Sequence, residues 1–216
     1  PGIFSAAGLQ VAEYDYYDAA TGTLDAQALI DSLANIPAGD IVCLHACCHN
    51  PTGVDPTPEQ WQELSRVVSE GGLLPLVDFA YQGFGDGLES DAAGLRALAG
   101  PDCRLLVASS FSKNFGLYRE RVGALSVVTG DPDTAAVVLS RLKQTIRVNY
   151  SNPPSHGAAI VTTILGDEGM RAGWETELGA MRARINDTRQ ALADGLAETA
   201  AGHDFSSIIR QRGMFS

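Results

Sequence analysis

Positive charge and long apolar runs are both scarce in this sequence of 216 residues. Only 15 residues are Lys or Arg against 26 that are Asp or Glu, which gives a formal net charge of −11. Because no cluster of Lys and Arg reverses that sign locally, the chain would repel nucleic-acid phosphates and anionic lipid surfaces. Its apolar stretches fall far short of the roughly 18–20 residues that a membrane-spanning helix needs. The sequence therefore argues against a nucleic-acid partner and against a membrane role.

Cysteine is also sparse, and its pattern does not suggest a disulfide framework. The sequence has four cysteines and no Cys-x-x-Cys pair, and a chain of this length does not need disulfides to hold its core. No secretory signal is visible at the start of the sequence. The cysteine pattern predicts a reducing, cytoplasmic setting.

One segment contains four potential zinc ligands, namely His45, Cys47, Cys48 and His49. On a strand, residues 45 and 47 share one face while residue 48 points to the other. The spacing also lacks the paired ligands of structural zinc sites. We therefore predict no metal site here. A Cys/His metal module and a redox switch at Cys47 and Cys48 remain alternatives.

The sequence has no initiator Met. It begins with Pro1 and ends on Gln211-Arg-Gly-Met-Phe-Ser216, an apolar ending with the pattern of a strand about to begin. We therefore expect a piece of a longer protein. The composition, 45% hydrophobic and 19% charged, is that of an ordinary globular chain.

Apolar runs alternate with segments of helical spacing, which predicts an α/β fold with a mostly parallel sheet and flanking helices. The segment 58–70 has the clearest helix signals, with Thr57 as N-cap, Trp61 and Leu64 at helical spacing, and two glycines at its end. The predicted strands are 41–46, 73–77, 104–108, 122–128 and, opening a second sheet, 205–210. The other predicted helices are 91–99, 132–147, 156–165 and 168–199.

Chemically versatile side chains follow the first three predicted strands. Asn50 comes after the first strand, Asp78 and Tyr81 after the second, and Ser110 and Lys113 after the third. Ligands of an open parallel sheet bind beyond the carboxyl ends of its strands. We therefore expect these side chains to converge on one site.

Lys113 is the candidate nucleophile of this group. A lysine attacks carbonyl groups once partial burial or a neighbouring charge activates its amine, so it is a candidate for a Schiff base. The alternative is an ordinary surface lysine. Three neighbouring serines and Arg121 favour the first interpretation, because hydroxyls and an arginine are what a phosphate monoester requires.

Asp78 and Tyr81 each have a structural alternative. Asp78 ends an apolar strand, where a carboxylate needs a cation or hydrogen bonds to compensate its burial. A protonated ring nitrogen would be a suitable partner, whereas the alternative for Asp78 is an N-cap. The alternative for Tyr81 is core packing.

Four ordered motifs together resemble the fold-type I, class I aminotransferases, and more narrowly the aspartate/aromatic amino acid subfamily. The first three are His49-Asn-Pro-Thr-Gly53, Asp78-Phe-Ala-Tyr-Gln-Gly-Phe84, and Ser109-Ser-Phe-Ser-Lys-Asn-Phe-Gly116 with its continuation to Gly123. The fourth, Ile146-Arg-Val-Asn-Tyr-Ser-Asn-Pro-Pro154, is followed by Arg212-Gly-Met-Phe-Ser216, so the resemblance covers nearly the whole chain.

The resemblance implies roles for four residues around pyridoxal 5′-phosphate. Lys113 would form a Schiff base with the cofactor and then act as base and acid in the proton shift. Asp78 would keep the pyridine nitrogen protonated, so that the ring accepts electrons. Tyr81 and Asn50 would hydrogen-bond the phenolic oxygen of the cofactor, and Asn50 would also line the substrate site.

Three further roles come from the resemblance. Ser110 and Arg121 would bind the cofactor phosphate. Arg147 would reach into the site of a partner subunit and pair with the distal carboxylate of a dicarboxylic substrate, which implies a homodimer with shared sites. Without the resemblance, Arg147 is a charge that interacts favourably with the dipole of a helix C-terminus.

The resemblance also implies a division of the chain, with residues 1–179 in a large cofactor domain and 180–216 opening a small domain. Family segments that supply a phosphate-binding turn, a stacking aromatic residue and an arginine for the substrate α-carboxylate are not in the printed sequence. The expected activity is transfer of an amino group from aspartate or an aromatic amino acid to 2-oxoglutarate. The alternative is a non-catalytic truncated or split module of the same fold.

Overall fold

The computed structural model describes residues 1–100, 103–200 and 202–214. The strands in these ranges are β1 (Tyr17–Asp18), β2 (Thr23–Leu24), β3 (Ile41–His45), β4 (Leu74–Phe79), β5 (Leu105–Ser110) and β6 (Gly123–Val128). The helices are α1 (Gly2–Ala6), α2 (Ala26–Ala34), α3 (Pro58–Glu70), α4 (Ala93–Leu98), α5 (Pro132–Asn149), α6 (His156–Gly166), α7 (Glu168–Thr199) and α8 (Ser206–Arg210).

The central sheet has the order β3-β4-β5-β6. Strands β3, β4 and β5 are parallel to one another, whereas β6 pairs with β5 in the antiparallel direction. A separate antiparallel ribbon joins β1 and β2. The predicted α/β fold with a mostly parallel sheet is therefore confirmed, with β6 as its antiparallel member.

One face of the sheet forms the centre of the core. Leu44, Val77 and Val107 lie side by side in the strand register and are all buried. Helices α2, α3 and α4 contribute their apolar faces to the same cluster, and α7 adds Leu178. Burying each of these aliphatic side chains contributes about 1.5–3 kcal/mol before the loss of conformational entropy. Because side chains alternate along a strand, His45 and Asp78 lie in register on the opposite face.

Helix α3 shows how local sequence sets an element's bounds. The Thr57 hydroxyl accepts a hydrogen bond from the backbone N–H of Gln60, whose side chain in turn accepts from the Thr57 N–H. This capping box and Pro58 at the first helical position start the helix where the sequence predicts. Its apolar side, including Trp61, packs into the core.

The predicted strand over 205–210 is wrong, because this segment forms helix α8. Asp204 accepts hydrogen bonds from the backbone N–H and the hydroxyl of Ser206, which favours a helical turn at this point. The Arg189 guanidinium on α7 then donates to the backbone oxygen of Ile208. These contacts outweigh the β propensity of the two isoleucines.

The predicted domain boundary between residues 179 and 180 falls inside α7, a continuous helix of 32 residues. The division into two domains stays a prediction. Phe215 and Ser216, the end of the last family motif and of the predicted small domain, lie outside the described residues. None of the helices in the described ranges combines the length and the apolar character that crossing a bilayer demands.

Candidate active site

The carboxyl ends of β3, β4 and β5 bring three of the predicted site residues together. The Asn50 amide Nδ2 donates to the Tyr81 hydroxyl over 3.3 Å. The Lys113 ammonium Nζ lies 4.7 Å from the centre of the Tyr81 ring, within the range of a cation–π contact. Asp78 is the penultimate residue of β4, the strand that leads to Tyr81, and lies in register with Ala108 of β5. An amine, a phenol, an amide and a carboxylate thus occupy one edge of the sheet.

The loop that carries Asn50 is held by two polar side chains. The backbone N–H of Asn50 donates to His45 Nδ1 over 3.2 Å. The Asp55 carboxylate accepts from the backbone N–H groups of Cys48 (2.6 Å) and His49 (2.8 Å). Burial raises the pKa of Asp55, and these two N–H bonds partly offset that rise. Asp55 was not predicted as a site residue, because its partners are backbone groups that no sequence motif reveals.

The loop after Tyr81 is organised by Asp91, which the sequence analysis also missed. Asp91 is only 6% exposed, yet it carries a carboxylate. Its two oxygens accept from four backbone N–H groups, those of residues 83, 85, 86 and 87. Backbone donors compensate the burial of this charge, so the carboxylate fixes the chain directly beyond Tyr81.

Burial controls the ionisation of Tyr81. It raises the pKa of the Tyr81 phenol, the hydrogen bond from Asn50 partly reverses this, and the nearby Asp78 carboxylate raises the pKa again. The phenol therefore keeps its proton at neutral pH.

Ser110 and Arg121 lie on neighbouring backbone segments where β5 ends and β6 begins. Ser110 pairs in register with Gly123, and the N–H of Phe111 donates to the backbone oxygen of Val122. Arg121 immediately precedes Val122 in the chain. It is exposed and has a positive φ of 50°. Its guanidinium donates to the backbone oxygen of Tyr118. The predicted phosphate ligands thus share one end of the strand pair.

Arg147 lies apart from this group. It is exposed in the last turn of α5, and its guanidinium donates to the Ser151 hydroxyl over 2.7 Å. No hydrogen bond or ion pair in the described ranges joins it to Asn50, Tyr81 or Lys113. The site formed by this single chain therefore does not include Arg147.

Residues of the possible zinc cluster are buried or packed against neighbouring side chains. Cys47 and Cys48 are buried, and all four cysteines of the chain are free thiols. The His49 ring stacks on Tyr16 at 3.9 Å and its Nδ1 contacts the Thr52 hydroxyl. Within the part of the chain that the structure describes, no group of three or more His, Cys, Asp or Glu residues is arranged to hold a metal ion.

His49 gives the fold a specific pH dependence. Burial lowers the pKa of His49 to about 4, and the neighbouring His45 lowers it too. An unfolded histidine titrates near 6.5, so the unfolded state binds more protons between about pH 4 and 6.5. Stability from neutral His49 is therefore complete above pH 6.5 and is lost progressively as the pH falls towards 4.

His49→Phe keeps an aromatic ring against Tyr16 but cannot take up a proton. We expect this variant to reduce the slope of unfolding free energy against pH between 4 and 6.5, measured by urea denaturation. An unchanged slope would show that His49 does not provide this dependence.

The fold and the site together define an α/β protein that gathers a lysine, a carboxylate, a phenol and an amide at the carboxyl edge of its sheet. The family model for aminotransferase class I and II matches residues 1–216. The chain belongs to this family, as its four motifs predicted.

Relatives and solved structures agree with this assignment. Aspartate aminotransferase of Escherichia coli (strain K12) is 58% identical over 99% of this chain and 54% of its own length. Tyrosine aminotransferase of Klebsiella pneumoniae is 50% identical with the same coverage. The crystal structure of an aromatic-amino-acid aminotransferase from Burkholderia pseudomallei, covalently bound to pyridoxal phosphate, matches with a TM-score of 0.97 and 49% identity, covering 99% of this chain and 53% of that one. The chain thus spans about half the length of these relatives.

Proposed function

We propose that the protein containing this chain is a pyridoxal-phosphate-dependent transaminase, which moves an amino group from aspartate or an aromatic amino acid to 2-oxoglutarate. The observation that carries the proposal is the placement of Lys113 beside Tyr81 and Asn50 at the end of the strands. Relatives with either aspartate or tyrosine in their names match equally long parts of the chain. The two donor classes therefore both belong to the proposal.

The donor set at the strand ends fits pyridoxal phosphate group by group. The Asp78 carboxylate suits a protonated ring nitrogen, and Tyr81 with Asn50 suits the phenolic oxygen. Ser110 and Arg121 suit the phosphate, because a guanidinium and a hydroxyl form charge-assisted hydrogen bonds with it. When bound, the cofactor supplies an electron-accepting ring that stabilises negative charge at the substrate Cα.

Lys113 has two tasks in this proposal. Its amine would hold the cofactor through the carbonyl carbon, with loss of water, while no substrate is bound. Once the substrate amine takes that position, the freed Nζ would accept the proton from the substrate Cα as a general base and return it, as a general acid, to the former carbonyl carbon of the cofactor. Tyr81 orients this amine, since its ring faces Nζ at 4.7 Å.

We also propose a homodimer in which Arg147 serves the site of the other subunit. Its support is that Arg147 is exposed and, among the residues that the structure describes, forms no hydrogen bond or ion pair with Asn50, Tyr81 or Lys113. A guanidinium pairs well with the distal carboxylate of a dicarboxylic substrate. The free thiols of all four cysteines support a reducing, cytoplasmic setting.

The alternative of a non-catalytic module is not favoured. Identity to the aspartate aminotransferase of E. coli extends over 214 residues, and the residues proposed to hold the cofactor follow the strand ends in the expected places. The described site retains the lysine (Lys113), the carboxylate (Asp78) and the phenol (Tyr81).

Two half-reactions test the proposed function. The complete protein, loaded with pyridoxal phosphate, is mixed with aspartate or tyrosine in the absence of an acceptor. We expect the visible absorption band to disappear while one equivalent of the 2-oxo acid forms, because the amino group stays on the cofactor. Addition of 2-oxoglutarate should restore the band and release glutamate. Loss of CO₂ or ammonia from the donor, with no amino group recovered on 2-oxoglutarate, would contradict transamination.

A further inference from the structure

A side chain from the long helix α7 contacts the Lys113 loop directly. The indole Nε1–H of Trp174 donates to the backbone oxygen of Asn114 over 2.8 Å. The Trp174 ring also stacks on Phe115, with 4.5 Å between ring centres and 17° between their planes. Both contacts are made to residues that immediately follow Lys113. Trp174 itself is 60 residues further along the chain.

Asn114 is held on its other side by the loop after Tyr81. Its side-chain Nδ2 donates to the backbone oxygen of Gln82 over 3.2 Å, and the residue is only 4% exposed. Asn114, the residue after Lys113, is therefore held by two partners: its side chain binds Gln82 and its backbone oxygen binds Trp174. A turn bond from the Gly116 N–H to the Lys113 oxygen completes the loop.

Helix α7 also contacts the Tyr81 loop, one and two turns after Trp174. Leu178 packs so closely on Gly83 that an added Cβ would lie 2.3 Å from its Cδ2 atom. Arg182 donates to the backbone oxygen of Gly83 over 2.9 Å. One helix therefore contacts both the loop that follows Lys113 and the loop that follows Tyr81.

We propose that Trp174 is a positioning residue that holds the Lys113 amine where it captures the cofactor. This inference rests on the role of Lys113 in the proposed function. Trp174 acts through the hydrogen bond to the Asn114 oxygen, because an indole is a donor only and the carbonyl it satisfies belongs to the residue that follows Lys113. Without this bond, the loop lets the lysine sample more orientations, and a smaller fraction of them is reactive.

Trp174→Phe removes the N–H donor and keeps a ring for stacking on Phe115. The rate of covalent capture of pyridoxal phosphate is measured by stopped-flow absorbance across a range of cofactor concentrations. We expect the rate constant at saturation to fall about 5-fold, as for loss of one buried hydrogen bond. The half-saturating concentration should stay the same. Amide hydrogen exchange of peptides covering 111–116 should become faster, in the presence or absence of cofactor.

Two variants separate positioning from general destabilisation. Trp61→Phe makes the same chemical change at a deeply buried indole that packs on Gly94 of α4. Phe115→Leu disturbs the stacked ring but leaves the indole N–H in place. Both should lower the thermal midpoint while keeping the saturating rate constant within about 2-fold of the unmodified protein. Because Trp174 is less buried than Trp61, its variant is the milder change to the core.

The outcomes distinguish this inference from the proposed function. If the unmodified protein forms no lysine–cofactor bond, the proposed function fails and the inference fails with it. If the unmodified protein reacts and Trp174→Phe matches it in rate and exchange, the inference alone fails. A fall in rate that Phe115→Leu reproduces in full would assign the effect to stacking and overturn the role of the indole N–H.

Discussion

Replacing Lys113 with alanine is expected to lower the transamination rate of the complete protein by about 10⁴-fold, the upper range for loss of a positioned acid–base group. The reason is that the same amine binds the cofactor and moves the substrate proton. Tyr81 and Asn50, its neighbours, carry no group basic enough to replace it at neutral pH. The rate is measured in a single turnover with aspartate, on protein saturated with pyridoxal phosphate.

Lys143→Ala is the matched control for this prediction. The printed sequence contains only two lysines, Lys113 and Lys143, and the second is exposed on α5. We expect its loss to change the rate by less than about 2-fold, as is usual for an exposed residue. A Lys113→Ala protein that keeps a tenth of the activity would contradict the assigned role.

Replacing Gly83 with alanine is expected to lower the free energy of unfolding by about 3 kcal/mol. Two costs add at this position. Gly83 has a φ of +96°, which an L side chain adopts with strain, and its added Cβ would lie 2.3 Å from Leu178. Leu178 is only 1% exposed, so it has little room to move away. Urea denaturation of this chain measures the change.

Gly39→Ala separates the two costs. Gly39 has a similar φ of +91°, but nothing lies within 4 Å of its added Cβ. We expect this variant to lose only the backbone part, about 1 kcal/mol. In a Leu178→Ala background, Gly83→Ala should lose about 2 kcal/mol less than in the unmodified chain, because the clash is gone. Equal losses for Gly39→Ala and Gly83→Ala would show that α7 does not pack on Gly83 as described.

Local signals in the sequence were sufficient wherever local contacts decide the structure. Helix α3 begins and ends at the predicted residues because its cap, its proline and its terminal glycines are all adjacent in sequence. The convergence of Asn50, Tyr81 and Lys113 was also predictable, since the carboxyl ends of parallel strands meet at one edge. The roles of these residues toward the cofactor stay predictions.

Contacts between distant segments could not be predicted from the sequence. Asp91 and Asp55 accept hydrogen bonds from backbone N–H groups of loops. In the sequence alone, nothing distinguishes them from ordinary surface carboxylates. In the sequence, Trp174 occupies one apolar position of an amphipathic helix. Only the fold shows that its indole N–H donates to the backbone oxygen of Asn114. The helix α8 was missed in part for this reason, because Arg189 binds it from another element, although the local cap by Asp204 was a signal that the β propensity of the isoleucines masked.

The central claim is that Lys113 binds the cofactor, and one measurement tests it directly. The protein is incubated with pyridoxal phosphate, reduced with borohydride, digested and analysed by mass spectrometry. The account predicts that the cofactor is fixed to the peptide containing Lys113, with Lys143 unmodified. Labelling at Lys143 or at the chain terminus, with Lys113 unmodified, would contradict it.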